Sequence, residues 1–396
     1  MYAEMRVHQG AEARGGPDRA LPRAAPSVCF VAPHGWPVLS RDPALKVIGG
    51  AEVQQAILAR LLAAAGHRVS MISLDYGQPE RSQVDGVTVH RAFEPDAGLP
   101  VLRYLHPRLT GMWRALGEAD ADVYYYRSSS MWVGVLAEFC RRNGRRSIYA
   151  GASDRDFDPG VGGQIRYARD RWLYQRGLAA VDCIVVQNEL QARACRAHYG
   201  REAVLIPSCY QLPEQARPAP EASDRVLWVG TIQPNKRPEQ VLELARRLPQ
   251  RRFVMVGGPA IGASAGYYEG IEREAKALPN LQFRGFLPLA EAERCFDDAR
   301  LLVSTSLFEG MPNVFLQAWA RGIPTVATVD VGAAANRVAQ DVDGLAAEVE
   351  SLLASPARWA SASRSVREYF ARTHSAGEVL ARYERVLREV MTGAAA

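Results

Sequence analysis

At 396 residues the chain exceeds the size at which one hydrophobic core usually stops growing, so two domains are expected. Hydrophobic residues make up 48% and charged residues 23%, which excludes a disordered or low-complexity chain. The net charge of +5 suits anionic ligands or an acidic membrane surface, but is too slight to argue for nucleic acid.

Six cysteines (Cys29, Cys140, Cys183, Cys195, Cys209, Cys295) are scattered with no Cys-x-x-Cys pair. They read as reduced thiols in a cytoplasmic protein, not as metal ligands or a disulfide frame. No apolar run reaches the length of a membrane span. Met1 to Pro26, rich in Ala, Gly, Arg and Pro, lacks the apolar stretch of a signal peptide and is expected to be disordered.

Val28 to Ala32 is a short apolar run, predicting a buried strand of a parallel sheet. The loop Pro33 to Pro37 and then Ile48-Gly49-Gly50-Ala51-Glu52 lead into a helix predicted over Val53 to Ala65, with a strand over Val69 to Leu74. A glycine pair opening that helix lets a ligand approach the backbone, and the helix amides suit a phosphate. Leu99 to Leu116 carries Arg103, His106, Arg108 and Arg114 beside Tyr104, Leu105, Met112 and Trp113. Such a stretch is more often a helix packed on a sheet; peripheral contact with an anionic inner-membrane face is the alternative. Asp122 to Arg127 predicts an aromatic strand, Met131 to Arg142 a helix, and Ser147 to Ala150 a strand running into Ser153-Asp154-Arg155-Asp156-Phe157-Asp158. A helix over Gln164 to Ala179 and a strand over Cys183 to Val186 follow. The three prolines of Gln211 to Asp224 mark a linker.

Beyond the linker, strand Arg225 to Val229 meets Gly230-Thr231-Ile232-Gln233-Pro234-Asn235-Lys236-Arg237-Pro238, then a helix over Glu239 to Leu248 and a strand over Phe253 to Val256. Leu281 to Phe286 is a further short strand and turn. Ala299 to Val303 is a buried-type strand, broken at Glu309-Gly310-Met311-Pro312-Asn313 and followed by a helix over Val314 to Arg321. Gly322 stands where a helix-ending glycine belongs, Pro324 bars continuation, and Ile323 to Thr328 reads as a strand. In open parallel sheets, ligands bind beyond the carboxyl ends of the strands, where this loop falls. Asp341 to Leu345 leads almost directly into a helix predicted over Glu348 to Leu353, and the last helix is predicted over Ser375 to Val390.

The run Glu309-Gly310-Met311-Pro312-Asn313, with Gln317 and Ala320-Arg321-Gly322-Ile323-Pro324-Thr325-Val326, resembles the signature of the retaining glycosyltransferases of family 4. The likeness extends from about Val28 to Leu387. It implies the α/β fold called GT-B: two Rossmann-like, doubly wound parallel-sheet domains facing each other across a cleft. On that basis residues 27–210 form the acceptor-side domain, 211–224 the linker and 225–372 the donor domain, with 373–396 crossing back as a helix.

The resemblance also implies site residues. Gly49 and Gly50 would lie against the donor diphosphate, with Gly310, Met311, Pro312 and Asn313 shaping the facing loop. Lys236 would grip the diphosphate. The family's neighbouring Arg is replaced by Thr231, leaving Arg237 or Arg127 as substitutes. Phe286 would lie near the base, and Glu309 would face the donor sugar. Many family members carry a His where this chain has Arg127 or Ser153; Asp154, at the end of a first-domain strand, is assigned to the acceptor side. The family's second Glu is Gln317, which would meet the ribose without charge assistance, so restoring Glu there is expected to tighten donor binding.

The implied activity is transfer of a sugar, with retention, from a UDP-, GDP- or ADP-sugar to an unidentified acceptor hydroxyl. No cofactor and no metal are expected, although Asp154, Asp156 and Asp158 form overlapping Asp-x-Asp pairs. A GT-B epimerase acting on nucleotide sugars and a nucleotide-sugar-binding protein that has lost catalysis remain as alternatives. A dinucleotide oxidoreductase is disfavoured, because no Gly-x-Gly-x-x-Gly follows a strand.

Overall fold

The computed structural model describes residues 25–393 apart from 43, 46–48, 100–101, 160–164, 218–222, 261–264, 332 and 334–335. The extension Met1 to Pro26 therefore lies almost wholly outside the described residues, as do residues 218–222 of the proline-rich linker.

Strand alternation builds the first sheet. In β1 (Val28–Val31), Val28 and Phe30 face one apolar layer while Cys29 and Val31 face the other, so the strand is covered on both sides. Its partners are β2 (Val69–Ser73), β3 (Arg81–Val84), β4 (Val87–Arg91), β5 (Val123–Arg127), β6 (Arg146–Ala150), β7 (Cys183–Val186) and β8 (Val204–Leu205). They lie in the order β3-β4-β2-β1-β5-β6-β7-β8, parallel except for the β3–β4 hairpin.

The second sheet follows the same logic: Val226 and Trp228 of β9 (Arg225–Val229) face one core and Leu227 the other. With β10 (Arg252–Val256), β11 (Leu281–Gly285), β12 (Leu301–Ser304), β13 (Thr325–Ala327) and β14 (Asn336–Val338) it forms the parallel order β11-β10-β9-β12-β13-β14. Two Rossmann-like sheets of this kind are the predicted GT-B architecture. The last helix, Ala376–Thr392, leaves the second sheet: Val379, Tyr383, Val386, Leu387 and Val390 pack into the core around β1 and β2. The return strand-like segment at Ser375 bridges Tyr210, so both passages between the domains run side by side.

Several elements differ from the sequence expectation. The helix expected from Glu348 begins at Val342, because Asp341 caps it through a 2.8 Å bond from Gly344 N to its carboxylate. Leu99 to Leu116 is not one helix: short irregular turns over residues 102–109 break at His106, and the regular helix is Thr110–Ala119. Leu99, Leu102 and Leu105 stay exposed, and Arg169 stacks over Tyr104. The loop Pro33 to Pro37 opens a short helix, Gly35–Ser40. Leu289–Asp297 and Pro356–Thr373 are further helices that the sequence patterns did not announce. Among the described residues, no helix is long and apolar enough to cross a membrane.

Candidate active site in the interdomain cleft

Two helices begin at the cleft from opposite sides. The first, Gly50–Ala64, starts after Gly49 in extended backbone. The second, Asn313–Arg321, starts after Pro312 and ends where Gly322 takes the left-handed conformation (φ 77°) that glycine adopts without strain. Their N-termini nearly touch. Asn313 Nδ2 donates to Gly50 O at 3.1 Å, and Gln54 Nε2 donates to Asn313 Oδ1 at 2.9 Å. Gln54 is itself fixed to the Cys209 backbone by two bonds, so one glutamine ties the first helix, the domain passage and the facing helix together. Two sets of unpaired helix amides converge there, a ready site for an anion.

The cleft encloses a cavity of about 570 Å³. It brings together Gly49, Gly50, Arg127, Thr231, Lys236, Phe286, Glu309, Gly310, Met311, Pro312, Asn313 and Gln317. Beyond the helix termini its wall is apolar, with Leu287, Leu289 and Phe296 beside Phe286.

Lys236 and Glu309 are paired, Nζ donating to Oε1, with side chains 23% and 14% exposed. Arg127 is buried at the inner end of β5. Its Nη2 donates to Ser208 Oγ at 2.9 Å, which donates to Gln187 Oε1, while its Nε has no partner among the described residues. Gly310 is pressed against the first domain. A Cβ there would stand 2.6 Å from Ala152 O and 3.0 Å from Gln187 Nε2, so only glycine permits this approach. Arg155 stacks on Phe308 across the same seam, 4.0 Å from the ring centre.

Two predicted residues stand elsewhere. Arg237 does not line the cavity: Nε donates to Thr305 O at 2.7 Å and Nη2 to Thr328 Oγ1 at 2.7 Å, tying its own loop to the strand ends. It braces this loop and stands apart from the cavity lining. Arg127 is the other substitute and does reach the cavity. Asp154 also stands back from the lining. Its Oδ1 accepts from Asn188 Nδ2 and Gln191 Nε2, each at 2.9 Å, and burial, with the nearby Glu309 charge, raises its carboxyl above the usual range. Asp156 is buried and accepts from the Ala152 and Ser153 amides. Among the described residues, no group of three or more His, Cys, Asp or Glu side chains is placed to hold a metal ion.

Sequence reasoning missed Gln54, Ser208, Gln187 and Glu293. Gln54 had a local signal, one turn beyond Gly50 on the same helix. The other three act on partners brought close only by the fold. Glu293 is the most consequential, since Gln317 Nε2 donates to its Oε1 at 2.6 Å.

Residues 49–209 match the family described as "Glycosyl transferase 4-like domain", and residues 223–364 the family described as "Glycosyl transferases group 1". The D-inositol 3-phosphate glycosyltransferase of Mycolicibacterium paratuberculosis is 32% identical over 240 residues, 56% of this chain and 54% of the relative. The chain thus spans about half the length of the curated relatives it matches. Among solved structures, sucrose-phosphate synthase from Thermosynechococcus elongatus superposes with a TM-score of 0.73 at 20% identity, covering 93% of this chain and 99% of the other. Anabaena Alr3699/HepE, in complex with UDP and glucose, superposes with a TM-score of 0.72 at 15% identity, covering 92% and 99%. With both halves matched in order and both sheets facing one cleft, the chain belongs to the GT-B glycosyltransferases of the family-4-like type.

Proposed function

We propose that the chain transfers a sugar from a nucleoside diphosphate sugar to an acceptor hydroxyl, with retention at the anomeric carbon. The observation that carries this reading is the convergence of two helix N-termini, Lys236 and Glu309 on one cavity. In the reaction the bond from the anomeric carbon to the diphosphate oxygen breaks, and the acceptor oxygen bonds to the same face. The departing phosphate takes the acceptor's proton. Charge grows on the diphosphate as the bond breaks, and fixed amides with the Lys236 ammonium stabilise that charge more than the ground state. Glu309 faces the sugar. The uridine nucleotides bound in the Anabaena structures support a UDP-sugar as the first donor to try. We further propose that no metal takes part, the helix termini and Lys236 supplying the positive field.

The acceptor side carries exposed Leu102 and Leu105 next to Arg103. That pairing supports peripheral contact with an anionic bilayer, which sedimentation with phosphatidylglycerol vesicles tests through loss of binding in L102S/L105S.

The test of function is a panel of UDP-, GDP- and ADP-sugars with candidate acceptors, with the product's anomeric coupling read by NMR. Acceptor-dependent release of nucleoside diphosphate with a retained linkage is expected. Free nucleotide with an altered sugar and no acceptor would identify an epimerase, and donor binding without turnover a binding protein.

A further inference from the structure

Behind the cleft surface, Gln317 is oriented by a carboxylate. Its Nε2 donates to Oε1 of Glu293, on the neighbouring helix Leu289–Asp297. Oε2 of the same carboxylate accepts from the Tyr210 hydroxyl at 2.7 Å and from Arg321 Nη2 at 3.0 Å. Arg321, with a side chain only 1% exposed, is held in turn by Asp297 at 3.1 Å. A carboxylate accepts and does not donate, so only the NH2 edge of the amide can face it. That leaves Gln317 Oε1 for the cleft which the residue lines, and this oxygen has no partner among the described residues.

We propose that Glu293 is a positioning residue that fixes Gln317 as a pure hydrogen-bond acceptor for a ribose hydroxyl of the nucleotide. This rests on the nucleotide-sugar reading above. The placement follows from the helix: Gln317 lies four residues, about 6 Å of rise, from the Asn313 end that meets the phosphates. The ribose is the group joined directly to the diphosphate, and the apolar wall of Phe286, Leu287, Leu289 and Phe296 lies near for the base. A free amide presents either edge to a ligand, whereas one locked from behind presents only its oxygen.

The arrangement also reverses the expectation that Glu at 317 would tighten binding. A carboxylate there would meet Glu293 where an N–H···O bond now spans 2.6 Å, so one of the two must take up a proton or swing away. The negative charge that the family carries at the cleft wall is, in this chain, held one layer deeper and neutralised by Arg321.

Calorimetric titration with whichever of UDP, GDP and ADP binds tightest, and with its 2′,3′-dideoxy form, reads the hydroxyl preference. The wild-type protein is expected to prefer the ribonucleotide by about tenfold. E293Q should bring that preference to within about twofold while leaving affinity for the dideoxy form unchanged, because the freed amide no longer presents a fixed acceptor. Q317E alone should weaken ribonucleotide binding and lower the melting temperature. Q317E/E293Q should restore both, the amide now donating from position 293 to the carboxylate at 317. A preference unchanged in E293Q, or Q317E binding as tightly as wild type, would overturn the inference and leave the nucleotide reading standing. Wild-type protein that binds none of the three nucleotides overturns that reading, and this inference with it.

Discussion

Lys236 and Glu309, 73 residues apart in the chain, are each other's ionic partner at the mouth of the cavity. On the proposed reaction a donor diphosphate would compete with Glu309 for the Lys236 ammonium, and the carboxylate so released would be free for the hydroxyls of the donor sugar. The two residues should therefore fail in different ways. Lys236→Ala lowers donor affinity and turnover together, since the charge is needed before and during bond breaking. Glu309→Gln lowers turnover by about a hundredfold or more but leaves nucleotide affinity equal or improved, because Lys236 loses its internal competitor. Calorimetry with UDP and steady-state rates separate the two patterns. A Glu309→Gln protein within a few-fold of wild-type turnover would remove Glu309 from the chemistry.

Gly310 makes a steric prediction. Because a Cβ there would sit 2.6 Å from Ala152 O, Gly310→Ala has to push the domains apart at this seam. We expect turnover to fall by about ten- to a hundredfold, as a misplacement of about 1 Å can cause, with little change in melting temperature. A fully active Gly310→Ala would show that this seam does not set the reactive geometry.

For metal, the expectation follows from oxygens already engaged. Asp154 accepts from two side-chain amides and Asp156 from two backbone amides. Transfer should survive excess EDTA, and Asp154→Ala should impair acceptor use more than donor binding. Activity lost to EDTA and regained with magnesium or manganese would make Asp154, Asp156 and Asp158 the ligands to test.

His374 predicts a pH dependence of stability. It is buried among Trp319, Tyr369 and Phe370, with Nδ1 bonded to Ser208 O at 2.7 Å and Nε2 unpartnered among the described residues. Burial lowers its pKa from 6.5 to about 4. The unfolded chain therefore binds the proton first as pH falls. The stability held at neutral pH is lost between about 6.5 and about 4, by about 3 kcal/mol in all. Thermal melts across that window should steepen in wild type and flatten in His374→Gln. Equal slopes would show that other groups dominate acid unfolding.

The two-sheet fold was legible because buried parallel strands are short unbroken apolar runs, and Val28 to Val31, Cys183 to Val186 and Leu301 to Val303 each stand out. The loop that carries Glu309 was legible because its glycine, proline and capped helix are local. What escaped was set by partners distant in sequence. β3 alternates exposed and half-buried residues, and β4 mixes buried Val87, Val89 and His90 with half-buried Thr88 and Arg91, around a tight turn at Asp85-Gly86, with no continuous apolar run to mark them. Nothing local to Arg237 announces that its guanidinium braces Thr305 and Thr328. Likewise the pattern shows that position 317 lacks a carboxylate, but only the fold reveals one standing behind it, on Glu293.

The last helix has a consequence for how the molecule can be divided. Since Ala376–Thr392 completes the core around β1 and β2, the first domain is written in two separated pieces, and the second is in effect an insertion within it. A fragment ending at Tyr210 would expose the apolar surface that Val379, Tyr383, Val386, Leu387 and Val390 cover. Tyr210 and Ser375 already lie side by side as bridge partners, so splicing one directly to the other would excise the insertion and leave the first domain's core closed.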